Sequence, residues 1–155
     1  KFDWNIIKNN KFFIINPGCS LKNTQKKWPE YKYAKICNFL IANNILPVLI
    51  GSIDDEESIN KIITESSGSL NLCNLSPLSV IFQISKKALG ALSNDTGPGH
   101  LIAASGCKIH LILSSFSNIN TVIPRGTNVT LTQKKNINDI STNEIIKKIK
   151  KDLKI

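Results

Sequence analysis

Short apolar runs alternate with segments of helical periodicity along the whole chain, and this alternation constrains the fold more than any other feature. A strand buried on both faces reads as a continuous apolar run, and a helix is the usual way back to a parallel neighbour. The runs are Phe12 to Ile15, Ile45 to Ile50, Leu70 to Leu72, Ala88 to Leu92, Ile109 to Leu113 and Val129 to Leu131. Trp28-Pro29 opens a helix in which Tyr33, Ile36, Cys37, Leu40 and Ile41 recur at helical spacing before Asn43-Asn44 ends it. Further helices carry Ile59, Ile62 and Ile63, then Val80, Ile81 and Ile84 after Ser76-Pro77. The next spans Leu101 to Ser105, and the last runs from about Thr142 to Leu153. The pattern predicts an α/β fold with a parallel sheet between helices, one domain over residues 1–155 with a loose segment over 1–10.

Composition narrows the class. The chain has 155 residues, enough for one domain with a real core. No apolar run reaches the roughly 18 residues that span a bilayer. Cys19, Cys37, Cys73 and Cys107 are scattered, with no CxxC pair and no histidine cluster, which fits reduced thiols and neither zinc nor a disulfide framework. The chain begins at Lys1 and contains no methionine, as expected of a piece of a longer protein. The net charge of +9 suggests an anionic partner. The densest basic run, Lys147, Lys148, Lys150 and Lys151, lies at the very end without interleaved aromatics, so it reads as a solvated helix face in preference to a nucleic-acid patch.

In an open parallel sheet, ligands bind beyond the carboxyl ends of the strands, where helix N-termini converge. Three loops qualify: Gly18 to Lys27, Gly51 to Glu57, and Asn94 to His100. In the third, Asp95 and Thr96 are placed to cap backbone N–H groups, Gly97 and Gly99 leave room for phosphates, and Pro98 fixes the turn. From spacing alone it reads equally as a capped helix start and as an anion site. His100 likewise fits either a buried histidine bonded to backbone or a ligand contact. The first loop offers Lys22, Lys26 and Lys27 with the hydroxyls of Ser20 and Thr24; the second offers Asp54, Asp55, Glu56 and Glu57, of which most suit the helix dipole. GxGxxG, the phosphate-binding Gly-x4-Gly-Lys loop and the Gly-x-Ser-x-Gly elbow are all missing.

Taken together, Pro17-Gly18, Lys26-Lys27-Trp28-Pro29, Ile50-Gly51-Ser52 with its acids, and Asn94-Asp95-Thr96-Gly97-Pro98-Gly99-His100-Leu101 resemble the lipopolysaccharide heptosyltransferases, and specifically the C-terminal half of glycosyltransferase family 9. The resemblance runs from about Phe12 to Leu153. It implies a Rossmann-like, three-layer α/β/α donor-binding domain, one half of a GT-B enzyme whose N-terminal acceptor domain is absent from this chain. By that resemblance Lys26 contacts the donor's phosphates and sugar, Asp95, Thr96 and Gly97 hold diphosphate and heptose, and His100 follows them. Ser20 falls near the phosphate-contacting hydroxyls. Glu57 matches the carboxylate that binds the ribose, with Glu56 or Asp55 fitting if the loop register differs.

The activity so implied is metal-independent, inverting transfer of heptose from ADP-heptose to a lipopolysaccharide core acceptor. The family's general base and most of its acceptor site belong to the N-terminal domain, so no catalytic residue is expected in this chain and the chain alone is expected to be inactive. The reduced thiols fit a cytoplasmic protein, the positive charge fits peripheral association at the inner membrane, and the placing of the basic run argues for no nucleic-acid partner. Rival readings are a GT-B-type protein using a UDP- or GDP-sugar, and a non-catalytic nucleotide or nucleic-acid binding module.

Overall fold

The computed structural model describes residues 4–18 and 24–155. The elements in chain order are α1 (Asn5–Asn9), β1 (Phe12–Asn16), a 3-10 turn (Thr24–Lys26), α2 (Glu30–Ala42), β2 (Leu46–Leu49), a 3-10 turn (Ile53–Asp55), α3 (Glu56–Thr64) and β3 (Leu70–Asn71). They continue as α4 (Leu78–Ser85), β4 (Ala91–Ser93), α5 (Gly97–Ala104), β5 (Ile109–Ser114), α6 (Ile119–Val122), β6 (Val129–Lys134), a 3-10 turn (Ile137–Asp139) and α7 (Thr142–Leu153). The six strands form one sheet in the order β3-β2-β1-β4-β5-β6, and every pairing is parallel. The strand order reverses between β1 and β4, which makes their carboxyl ends the topological switch point of a doubly wound sheet.

Alternation along the strands builds two cores. Phe13, Ile15, Leu49, Leu92 and Ile112 pack against α2, α3 and α7 through Tyr33, Ile36, Leu40, Ile59, Ile62, Ile145 and Ile149. Phe12, Ile14, Val48, Ala91, Ile109, Leu111 and Leu113 face the other way, onto Ile7, Ile81, Ile84, Ile102 and Ala103 of α1, α4 and α5. The three-layer α/β/α arrangement follows directly. Pro47 lies inside β2 without breaking it, because the N–H groups of Leu46 and Ile50 point to β1, so the Pro47 nitrogen faces the β3 side, where pairing begins only at Val48 opposite Leu70. Asn44 takes a left-handed φ of 58° and Gly106 one of 84°. These are the two residues that turn the chain out of α2 and α5, as the helix-ending signals require.

Local boundaries depart from the sequence reading in several places: β6 runs on to Lys134, and α6 lies in the stretch from Ser114 to Gly126 read as a loop. The segment before Lys11, expected to be loose, contains α1, because Ile7 finds a buried place beside Phe12 and Ile84. The fourth strand starts at Ala91 and not at Ala88, whose N–H still closes the end of α4 onto Ile84 and Ser85 carbonyls. The helix expected from Leu101 begins a turn earlier, at Gly97, since Thr96 is extended and Pro98 suits the first turn. Cys37, Cys73 and Cys107 are free and buried, and burial raises the Cys37 and Cys107 thiols to about 11. Among the described residues no helix is long and apolar enough to cross a membrane.

Candidate functional site

The carboxyl ends of β1 and β4 are tied together by a buried polar cluster. Asn16 Nδ2 donates to Ser93 Oγ at 2.8 Å and to Thr96 Oγ1 at 2.6 Å, and Ser93 Oγ donates to the Asn94 carbonyl at 2.7 Å. Asn94 is fully buried; its Oδ1 accepts from Tyr33 Oη at 2.7 Å and its Nδ2 donates to the Pro17 carbonyl at 3.0 Å. Buried amides are costly unless paired. These pairs fix the direction in which both loops leave the sheet. Sequence reading left Asn16 out, took Tyr33 only as part of an apolar helix face and Asn94 only as part of the third loop; the signal for their pairing was an amide at the end of each of two apolar strands.

One residue further out, the Lys-x-Trp-Pro segment is anchored from below. Trp28 is fully buried, donates Nε1–H to the Ile140 carbonyl at 3.1 Å, and meets Tyr33 edge-on at 5.0 Å. That anchor projects Lys26 onto Asp95, with Nζ 3.1 Å from Oδ2 and side-chain exposures of 19% and 13%. Ser117 Oγ donates to the same carboxylate oxygen at 3.2 Å. Asp95 and Thr96 were expected to cap α5, and neither does. Asp95 is taken by Lys26 and Ser117, and Thr96 Oγ1 by Asn16, so α5 starts with no side-chain cap. Among the described residues the Gly97 N–H and the positive end of this eight-residue helix have no side-chain cap. A Cβ built on Gly97 would meet nothing within 4 Å, whereas one on Gly99 would press on Ser93 Oγ at 3.2 Å.

That helix start opens on a cavity of about 910 Å³ lined by Asn16, Gly18, Gly51, Ser52, Asp54, Asp55, Asn74, Ser76, Pro77, Leu78, Ile81, Thr96 and Pro98. One end is polar, at the switch point, and the other is an apolar wall from the start of α4. Asp55 stands between the first two loops. Its Oδ2 accepts from Ser52 N–H at 2.9 Å and Ser52 Oγ at 3.0 Å, and a Cβ on Gly18 or Gly51 would come within 2.9 Å of Asp55 atoms. Those two glycines therefore make the room for this carboxylate.

The residues expected at the site distribute unevenly. Lys26, Asp95, Thr96 and Gly97 come together at the switch point, and of the four Thr96 lines the cavity. Glu57 does not join them: its side chain is 84% exposed and pairs with Lys61 at 2.6 Å one turn on, and that ammonium holds the carboxyl below its usual range. Asp54 and Asp55 line the cavity instead. His100 is exposed on α5, is not buried against backbone, and does not line the cavity. Ser20 and Lys22 lie outside the described residues. In the terminal basic run Lys147, Lys150 and Lys151 are exposed, while Lys148 is half-buried, bonded to Thr132 Oγ1 and close to Glu144.

Comparison with known proteins gives a consistent picture. Lipooligosaccharide heptosyltransferase 2 of Haemophilus influenzae is 31% identical over 84 residues, covering 51% of this chain and 24% of that protein. The structure of ADP-heptose lps heptosyltransferase II from E. coli superposes with a TM-score of 0.85 at 18% identity, over 99% of this chain and 52% of that one. E. coli heptosyltransferase WaaC with ADP gives a TM-score of 0.79 at 17% identity, over 92% of this chain and 44% of its own. The chain thus spans about half the length of the heptosyltransferase structures it matches. The family model described as glycosyltransferase family 9 (heptosyltransferase) matches residues 1–111, which is most of the chain, and the chain belongs to that family.

Proposed function

We propose that this chain is the donor-binding half of an inverting glycosyltransferase that moves a heptose from ADP-heptose to a lipopolysaccharide core acceptor. The observation that carries the reading is the uncapped start of α5, opening on a nucleotide-sized cavity with Asp55 at its other side. A diphosphate against the Gly97 N–H gains the helix-end field and a backbone hydrogen bond. The ribose hydroxyls donate to Asp55, which takes the role expected of Glu57, and the base lies on Pro77, Leu78 and Ile81. Support for adenine comes from WaaC, which was solved with ADP.

In the reaction an acceptor hydroxyl oxygen forms a bond to the anomeric carbon from the face opposite the leaving group. The bond from that carbon to the diphosphate oxygen breaks, and its electron pair leaves with ADP. Negative charge then grows on the diphosphate beside the Gly97 N–H and the positive end of α5, with the Lys26 ammonium reaching it from its pair with Asp95, so stabilisation needs little reorganisation at the moment of transfer. Asp95, held by Lys26 and Ser117, is aimed to accept from a sugar hydroxyl. The proton lost by the acceptor goes to a carboxylate outside this chain. This cradle does the work that a divalent cation does elsewhere, and binding is expected to be unchanged by EDTA. The exposed Lys147, Lys150 and Lys151 belong to the same proposal as a contact to an anionic membrane face, checked by release from anionic vesicles when all three are neutralised.

Calorimetric titration of the chain with ADP, UDP and GDP is the test. ADP is expected to bind at least about tenfold more tightly than the other two, a difference of about 1.4 kcal/mol. Preference for UDP or GDP would move the chain to another donor class, and binding of RNA or DNA that ADP does not compete would replace the transferase reading altogether.

A further inference from the structure

The Asp95 carboxylate uses its two oxygens unequally. Oδ2 accepts from Lys26 Nζ at 3.1 Å and from Ser117 Oγ at 3.2 Å. An ionised carboxylate has about four lone-pair positions, two on each oxygen, so Oδ2 is filled. Oδ1 accepts from nothing among the described residues, and it is not sealed off either, because Ser114 Oγ alone among them is a buried side-chain polar atom without a partner. One oxygen is therefore held and the other is open.

The two groups that hold Oδ2 differ in what donor binding asks of them. In the donor reading the Lys26 ammonium reaches the diphosphate from this pair, which loosens its grip on Asp95. An ammonium is also a point charge on a flexible stem and fixes no plane for the carboxylate it meets. Ser117 has neither weakness. It is 3% exposed, and its N–H donates to the Ser114 carbonyl at 3.1 Å, closing a turn at the end of β5. Gln133 of β6 staples both ends of that turn, its Nε2 donating to the Ser114 carbonyl at 3.0 Å and to the Ser117 carbonyl at 3.2 Å. Ser115 Oγ adds a bond to the Lys135 carbonyl at 3.0 Å. The register of β5 on β6, with Leu113 opposite Gln133, brings the amide to the turn. The Ser117 hydroxyl is thus delivered to Asp95 by the sheet itself.

We propose that Ser117 is a positioning residue for the donor sugar: with its turn stapled by Gln133, it keeps Asp95 Oδ2 in place while Lys26 engages the diphosphate, and so leaves Oδ1 aimed at a sugar hydroxyl. Asp95 directly precedes Thr96, which lines the cavity given to the diphosphate, so the sugar carried on that diphosphate lies within reach of Oδ1. The inference rests on the donor reading above and adds to it two side chains that touch no ligand.

Calorimetric titration of the chain with ADP and with ADP-heptose is the test, because only the second ligand carries the group that Oδ1 meets. Ser117→Ala should raise the ratio of the ADP-heptose Kd to the ADP Kd about tenfold while changing the ADP value less than about twofold. Gln133→Met removes the staple and should raise the same ratio about threefold. Gln133 is half-buried on an edge strand, so this variant decides the matter even where Ser117→Ala fails to fold. In an Asp95→Ala background Ser117→Ala should change the ratio less than about twofold, since a residue that acts through Asp95 then has nothing to aim. Equal losses on both ligands, a ratio unmoved by the variants, or a full Ser117 effect in the absence of the Asp95 carboxylate would each overturn the proposal, and ADP binding would still stand for the donor reading. Binding of neither ligand to the parent chain would remove both.

Discussion

The polar groups at the sheet's carboxyl edge divide into an inner and an outer set. In the inner set Asn16, Ser93, Asn94 and Tyr33 bond one another in the dark of the core. Nearer the amino ends of the strands His110 is likewise paired inside the fold, its Nδ1 at 2.7 Å from Thr130 Oγ1 and its Nε2 at 2.8 Å from Thr132 Oγ1. In the outer set Lys26 and Asp95 satisfy each other near the surface, Asp55 leans over two glycines, and Gly97 N–H starts a helix without a side-chain cap. The inner groups are spent on folding. The outer ones keep capacity for a ligand, so damage to the two sets should register in different measurements.

The largest effect is expected inside. Asn94→Ala removes the acceptor for the Tyr33 hydroxyl and the donor to the Pro17 carbonyl, and should cost on the order of 3 kcal/mol in urea unfolding. Loss of ADP affinity with unchanged stability in this variant would erase the division. A comparable amount depends on pH through His110, whose burial, with Lys148 adding to it, lowers the imidazole from 6.5 to about 4. Between those pH values the unfolded chain takes up a proton that the folded chain refuses. Stability is therefore complete above about 6.5 and falls by ~3 kcal/mol as pH drops to about 4. His110→Gln should remove that part of the pH dependence; an identical pH profile in the variant would show that the imidazole does not hold it.

Outside, Lys26→Ala and Asp55→Asn are expected to weaken ADP or ADP-sugar binding about tenfold each while changing stability by less than about 1 kcal/mol. Glu57→Gln should leave both unchanged, since its ion pair with Lys61 is solvent-exposed. The reverse ranking by calorimetry, Glu57 above Asp55, would return the ribose contact to the loop register first expected. The smallest stability change is the most discriminating: Gly97→Ala meets open space, so it should stabilise by about 0.5 kcal/mol through the unfolded chain and yet weaken diphosphate binding. A variant that binds ADP as well as the parent would leave α5 an ordinary helix start.

What the sequence made legible follows the same division. Six strands, the long helices and the edge of the sheet that bears the loops were readable, because apolar period and turn residues are local signals. Lys26, Asp95, Thr96 and Gly97 were readable as motif members. The caps expected from Asp95 and Thr96 were misjudged because each finds a stronger partner far away in the chain: Asn16 to Thr96 spans 80 positions, and Lys26 to Asp95 spans 69. Nothing periodic reports such pairs. Glu57 and Asp55 are two positions apart, and only the 3-10 turn at Ile53–Asp55 decides which one leans into the cavity.

The Gly97 amide reports on the whole account directly. With ADP added to the labelled chain, its resonance should move far and saturate together with that of Asp55, marking diphosphate and ribose in the cavity. ADP binding that leaves both amides in place, or no ADP binding at all, would contradict it.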